Sequence, residues 1–197
     1  MEWKYSSLMI DNSNSDHGKE AILDYEISWV LRTAADKEAK ENKPRLHSQC
    51  MHILCKLLGL DDVQNIDVTE VKVWKQWERI DIFSTIRLKN SGKDENYALL
   101  IEDKAYTSMK EHQRDIYPKI AREWCDSENE WKDCKLRLCA ITISDCGTDG
   151  YNVLSDFCKQ STEWEWHTFS VGELPDCSAG ELTESDLFNE FWLSYWG

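Results

Sequence analysis

The sequence predicts an α/β domain, a central mixed sheet flanked by helices with an extra strand and helix at its C-terminal end, and three stretches carry that prediction. Residues 18–36 repeat apolar side chains at helical spacing. Residues 78–104 hold two β-rich runs around a polar turn, and residues 135–144 form a near-continuous apolar run that follows a further helix. A strand reached from a helix can join a hairpin by a crossover connection, so the elements assemble in the order helix, three strands, helix, strand. A chain of 197 residues is long enough to build one domain around its own core, expected at about 18–145 with an elaboration over about 146–197.

The elements follow from local pattern. Residues 1–17 are polar apart from Leu8-Met9-Ile10 and read as a short strand or docked arm. From about Gly18 to Asp36, Ile22, Leu23, Ile27, Val30, Leu31 and Ala34 fall on one helical stripe at 100° per residue, and Glu26 falls inside it. Asp36 to Lys43 reads as a charged linker. Pro44 can open a second helix, about 45–59, with Leu54, Leu57 and Leu58 on its core face and Gly59 at its end. Ile66 to Trp74 alternates as a strand of mixed faces, and Glu70 reads as one of its exposed residues. In the hairpin, Glu78 to Phe83 and Tyr97 to Lys104 are the β-rich runs and Lys89 to Asn96 the polar turn. Thr107 is the expected cap of a helix that places Met109, Gln113, Ile116, Ile120 and Trp124 on one face, with Pro118 kinking it or starting a second segment.

Lys135 to Ser144 is the clearest strand, and its apolar run suits coverage on both faces. A turn at Asp145 to Gly150, a short helix over Tyr151 to Cys158 and an added strand over Trp164 to Val171 follow, with His167 in a structural place. Thr183-Glu184-Ser185-Asp186 resembles a capping box. The final helix it opens carries Leu187, Phe188, Phe191, Trp192 and Tyr195 on one side, to dock on the domain or on a second copy.

Composition narrows the function classes. A hydrophobic fraction of 41% with ten Trp excludes a wholly disordered chain. No run of eighteen apolar residues occurs, and Met1-Glu2-Trp3-Lys4 has no charged-then-apolar leader pattern, which predicts a soluble cytoplasmic protein with no membrane partner. The eight cysteines include no C-x-x-C pair and read as reduced, several of them core fillers. His47, Cys50, His52 and Cys55 lie on different sides of their helix and do not converge on a zinc ion. There is no G-x-S-x-G for serine hydrolysis, and Gly147-Thr148-Asp149-Gly150 is too short for a nucleotide loop.

The chemistry gathers on the hairpin. Side chains alternate along a strand, so Glu102 and Lys104 leave one face and Asp103 the other. A carboxylate and an amine at the end of an apolar strand are expensive to place there without a task or a partner, and Asp81 shares that predicament between Ile80 and Ile82. Two converging carboxylates can hold a hard divalent cation through oxygen, and a neighbouring ammonium can orient a water or stabilise a phosphate.

Asp81 followed by Glu102-Asp103-Lys104 resembles the D…(D/E)-X-K signature of the PD-(D/E)XK nuclease superfamily. The words Arg79-Ile80-Asp81-Ile82 and Leu100-Ile101-Glu102-Asp103-Lys104 are similar to a bacterial and phage-associated subgroup in which such strands precede a helix bearing Gln and Tyr, here His112-Gln113-Arg114-Asp115-Ile116-Tyr117. The resemblance implies a restriction-endonuclease-like αβββαβ core and a nuclease dependent on Mg²⁺ or Mn²⁺ that hydrolyses phosphodiester bonds, expected to be a DNA endonuclease. It implies that Asp81, Glu102 and the Asp103 backbone carbonyl ligate the metal. Glu26 from the first helix would reach it directly or through water, Lys104 would hold the attacking water, and Gln113 would assist. Read from the residues alone, Glu26 is equally a boundary side chain reaching for water, with Glu20 as its substitute, and Gln113 a core-edge side chain satisfied by backbone. Nucleic acid is the expected partner. A homodimer, through the aromatic final helix, is expected by analogy with enzymes that cut both strands. A net charge of −14 opposes binding to phosphate, although Lys72, Lys75, Arg79, Lys104, Lys110, Arg114 and Lys119 cluster in sequence around the site. The alternative function is a catalytically inactive copy of the nuclease fold that serves as a binding or regulatory partner.

Overall fold

A computed structural model describes residues 19–104 and 108–195, and five strands lie side by side at its centre in chain order. They are β1 (Ile66–Trp77), β2 (Ile80–Asn90), β3 (Lys93–Lys104), β4 (Lys135–Thr142) and β5 (Trp166–Ser170). The first three form an antiparallel meander, while β3 pairs with β4 and β4 with β5 in parallel, so the sheet is mixed. The arm expected at Leu8 to Ile10, the cap expected at Thr107 and the side chain of Glu20 lie outside the described residues.

Each face of the sheet is covered by helix. On one, α1 (Lys19–Thr33) and α3 (Pro44–Leu58) bury Leu23, Ile27, Leu31, Ile53, Leu54 and Leu57 against Ile82, Ile86, Leu99, Ile101, Cys139 and Ile141. On the other, α5 (Tyr117–Ser127) and α6 (Asp149–Lys159) bury Tyr117, Ala121, Cys125 and Leu154 against Phe83, Ala98, Leu100, Leu138 and Ala140. The odd and even residues of β3 thus serve opposite cores, as the alternation of a strand requires. Each fully buried aliphatic side chain contributes about 1.5–3 kcal/mol.

Both hairpin turns are tighter than the sequence suggests. Asn90 pairs with Lys93, so only Ser91 and Gly92 turn the chain, at φ 50° and 81°. The polar residues 93–96, read as turn, are strand, because at the solvent end of the sheet they pair with residues 87–90 without burying anything. Trp77 pairs with Ile80, leaving Glu78 and Arg79 at φ 51° and 71°. Two consecutive left-handed residues are what a two-residue hairpin turn needs to match the twist of its strands, and here neither is glycine.

Other departures have local causes. The charged linker contains α2 (Lys37–Asn42), because the Asp36 carboxylate accepts from the Glu38 and Ala39 N–H groups at 2.8 and 3.2 Å and caps it. The helix after β3 is split, as Pro118 leads one to expect, into α4 (Glu111–Asp115) and α5, with Pro118 in the first turn of the second. That break shifts the helical phase, so Ile116 is 46% exposed and Tyr117 takes the buried place.

In the expected capping box only Ser185 caps, accepting from the Phe188 N–H at 3.3 Å. Glu184 turns away to the start of α3, where it accepts from the Leu46 N–H at 3.0 Å and the Arg45 Nε at 2.9 Å. Glu184→Ala is expected to cost about 1 kcal/mol, the loss of one cap, read as a lower denaturant midpoint with unchanged slope.

The C-terminal helical segment, α7 (Asp186–Phe188) continued by a π-helix over Asn189–Tyr195, buries Phe188, Phe191 and Trp192 in the core of α1 and α3. Its aromatic side therefore docks on the chain's own domain, and Leu187, expected on that side, is 42% exposed.

Candidate functional site

The β2–β3 ladder ends at Ile82 opposite Ile101, and beyond it the side chains replace the missing backbone pairs. The Asp103 N–H donates to Asp81 Oδ2 at 3.2 Å, and the Asp81 N–H points at Glu102 Oε1 at 3.5 Å. The carboxylates are thus held by backbone on a strand that stays anchored on its other edge, where Glu102, Asp103 and Lys104 pair with Ala140, Ile141 and Thr142 of β4. Lys104 Nζ stands 3.2 Å from Asp81 Oδ2 and 3.1 Å from Glu102 Oε2. Gln113 Nε2 donates to the same Glu102 oxygen at 2.7 Å, while its Oε1 accepts from the Lys110 N–H at 3.0 Å and closes the first turn of α4. One side chain therefore ties the helix start to the strand end. Asp81, Glu102, Lys104 and Gln113 are brought together, and Tyr117 is buried nearby, its phenol pushed up by desolvation and by the Glu102 and Asp81 carboxylates.

Asp103 leaves the opposite face and meets Asp24 on α1. Asp103 Oδ2 and Asp24 Oδ1 are both buried with no ordinary hydrogen-bond donor. Two such oxygens are satisfied only by a proton shared between the carboxyls or by a cation. Gln76 Nε2 bridges Asp24 Oδ2 at 3.4 Å and Asp81 Oδ1 at 3.2 Å. Gln76 has a φ of 53°, a costly conformation for such a residue within a strand, and that twist accompanies the placement of its amide between the two carboxylates.

The electrostatics record crowding. Desolvation and the neighbouring Asp81 push the Glu102 carboxyl up to about 8, against the opposing pull of Lys104. Asp103 is raised by burial and then by Asp24 and Asp81, and Asp24 by burial and then by Asp81. Burial pulls the Lys104 amine down, but Asp81 and Glu102 together outweigh it and hold the amine above its ordinary value. Asp81 and Glu102 thus share one buried ammonium, while Asp103 and Asp24 crowd each other on the opposite face. That donor set, all oxygen with two orphaned atoms, suits a hard divalent cation such as Mg²⁺ or Mn²⁺. In the present arrangement no three His, Cys, Asp or Glu side chains among the described residues close around one point, and Lys104 occupies the space between Asp81 and Glu102.

Glu26 is not part of this cluster. It is 6% exposed, its carboxyl is raised to about 7 by desolvation, and the Trp192 indole and Cys50 are its neighbours. On α1, Glu26 faces Trp192 of the C-terminal segment and Cys50 of α3, whereas Asp24 faces Asp103 of β3. Asp24 and Gln76 were missed from the sequence. The available signal was that Asp24 stands three and seven residues before Ile27 and Leu31, at the edge of the apolar stripe.

The expected basic rim is only partly free: Lys72 pairs with Glu70 at 2.9 Å, Arg114 with Asp115 at 2.7 Å and Lys119 with Glu163 at 3.1 Å. Lys75 lies close enough to Asp24 to lower its pKa. Glu70, held by Lys72 and Arg87, stands outside the site.

No helix among the described residues is long and apolar enough to cross a membrane. No family model, curated protein or solved structure matches this chain.

Proposed function

We propose that this chain is a divalent-metal-dependent nuclease on a restriction-endonuclease-like core, hydrolysing phosphodiester bonds and acting as a DNA endonuclease. The observation that carries the reading is the convergence of Asp81 and Glu102 on Lys104 Nζ, at 3.2 and 3.1 Å, at the place where two buried strands part. Asp81, Glu102 and the Asp103 backbone carbonyl are the groups that would hold Mg²⁺ or Mn²⁺. Asp24 takes the part that the resemblance gives to the first helix at Glu26. A bound cation supplies neutralisation of the charge that develops on the phosphate. Lys104 is the group that would donate to the attacking water and orient it toward phosphorus. The Gln113 amide fixes Glu102, and Gln76 fixes Asp24 against Asp81, so that each carboxylate keeps one orientation.

A second reading, a binding or regulatory partner on the same fold, draws support from the net charge of −14, which repels nucleic acid. Turnover separates the two. Labelled duplex and single-stranded DNA are incubated with the protein in Mg²⁺ or Mn²⁺: products that appear only with metal support the nuclease, and intact substrates at every metal concentration overturn it. In the same assay Asp24→Ala is expected to lose at least about tenfold in cleavage, the scale of a group that orients or completes a metal shell, while Glu26→Gln cuts like wild type. The reverse pattern would return the role to Glu26.

A further inference from the structure

Beside Lys104, at the ends of β3 and β4, a cavity of about 370 Å³ opens on the face that carries Glu102. Its size falls in the range of about 300–1,000 Å³ typical of small-molecule sites. Met109, Leu154 and Phe157 give it apolar walls, Ser144 adds a hydroxyl at the end of β4, and Lys104 belongs to both the cavity and the carboxylate cluster. Gly150 lets α6 close on the strand end, since a Cβ there would stand 2.4 Å from Ser144 Oγ.

We propose that this cavity receives one nucleobase of the cleaved strand, from the nucleotide next to the scissile phosphate. The inference rests on the phosphodiester reading of the Lys104 site. A phosphate held at Lys104 has its own nucleoside within one backbone unit, and a cavity that shares Lys104 lies within that reach of the ring. The Phe157 ring suits the face of a base, Met109 and Leu154 add apolar contact, and the Ser144 hydroxyl and Asp149 carboxylate suit its edge, so the contact is one of stacking with a polar reading at the rim. A base can enter only when it is unstacked from its neighbours, which favours single-stranded or locally opened substrate at that nucleotide.

The test uses the full chain. Once the cut in an oligonucleotide is mapped, each nucleoside within three positions of it is replaced in turn by an abasic residue. Wild type is expected to lose at least about tenfold in kcat/KM at a single position, the scale of one stacked base. Val153 lines the cavity and is 66% exposed, so Val153→Trp fills the space without burdening the core. This variant is expected to cut the intact substrate as slowly as wild type cuts the abasic one, with no further loss on the abasic substrate. Equal cutting of all abasic substrates by wild type overturns the pocket and leaves the nuclease standing. In a second arm without metal, oligonucleotides carrying 2-aminopurine at each position report binding. An emission change confined to one position and lost in Val153→Trp supports the pocket even if wild type cuts nothing, an outcome that would overturn the phosphodiester reading instead. A response that is equal at all positions, or unaltered by Val153→Trp, overturns the pocket.

Discussion

Replacing Lys104 by methionine is expected to lower metal-dependent cleavage by about 10²–10⁴-fold, the contribution of one positioned proton-handling group. The stem of Lys104 is retained by methionine, so the core beside β4 keeps its packing, and what disappears is the ammonium 3.2 and 3.1 Å from Asp81 and Glu102. Removing one partner of a buried ion pair ordinarily costs about 3–5 kcal/mol, because the other charge is left unpaired. Glu102 has a way out. Its carboxyl already stands at about 8, raised first by desolvation, and losing the ammonium that pulls it down moves it higher, so it takes up a proton and stays neutral. The variant is therefore expected to fold at pH 7 with a stability loss well below the full cost, while its cleavage is lost. Chemical denaturation beside the cleavage assay checks both halves. A Lys104→Met protein that cuts at the wild-type rate contradicts the assignment.

Glu26→Gln is expected to raise stability at pH 8 by roughly 3 kcal/mol, the worth of a carboxyl held at about 7 when its ordinary value is 4.5. Below about pH 4.5 this carboxyl is protonated in both the folded and unfolded chain and carries no penalty. As the pH rises from there, the unfolded chain releases the proton while the buried group keeps it, so stability falls until about pH 7 and stays low above. The cause is burial, which the Trp192 indole N–H opposes only in part. Glu102 and Asp103 have raised values of the same sign and leave their slope in both proteins, so the difference between wild type and Glu26→Gln isolates position 26. Midpoints measured from pH 5 to 8 should diverge as the pH rises, and parallel curves would contradict the burial account.

These two carboxylates show what a sequence can and cannot disclose. On β3 the alternation of side chains is local and fixed, so the shared face of Glu102 and Lys104, and the opposite face of Asp103, were legible at once. Asp81 was legible too, as an acid flanked by Ile80 and Ile82 that needed a partner. On α1 the stripe was read correctly, but the periodicity of a helix says which residues are buried and not which neighbour each one meets. Glu26 and Asp24 lie on different flanks of one helix. Only the docking of the C-terminal helix on one flank and of β3 on the other separates a core acid from a site acid. Gln76 was invisible for another reason: its backbone twist belongs to the hairpin, and a φ of 53° leaves no mark in residue type. The order of strands and helices survived these errors because it depends on long runs. The tight turns and the Asp36 cap did not, because each is decided by one or two residues, whereas the helix break was legible in Pro118.

The most direct measurement is the conversion of supercoiled plasmid to nicked and linear forms in Mg²⁺ or Mn²⁺, with wild type, Asp81→Ala and Lys104→Met run at matched protein concentration and each variant verified as folded. The account predicts cutting by wild type that needs the metal and is lost in both variants. Cutting that persists in folded Asp81→Ala and Lys104→Met would place the activity elsewhere, and a wild type that never cuts would leave the cluster of Asp81, Glu102 and Lys104 without the chemistry proposed for it.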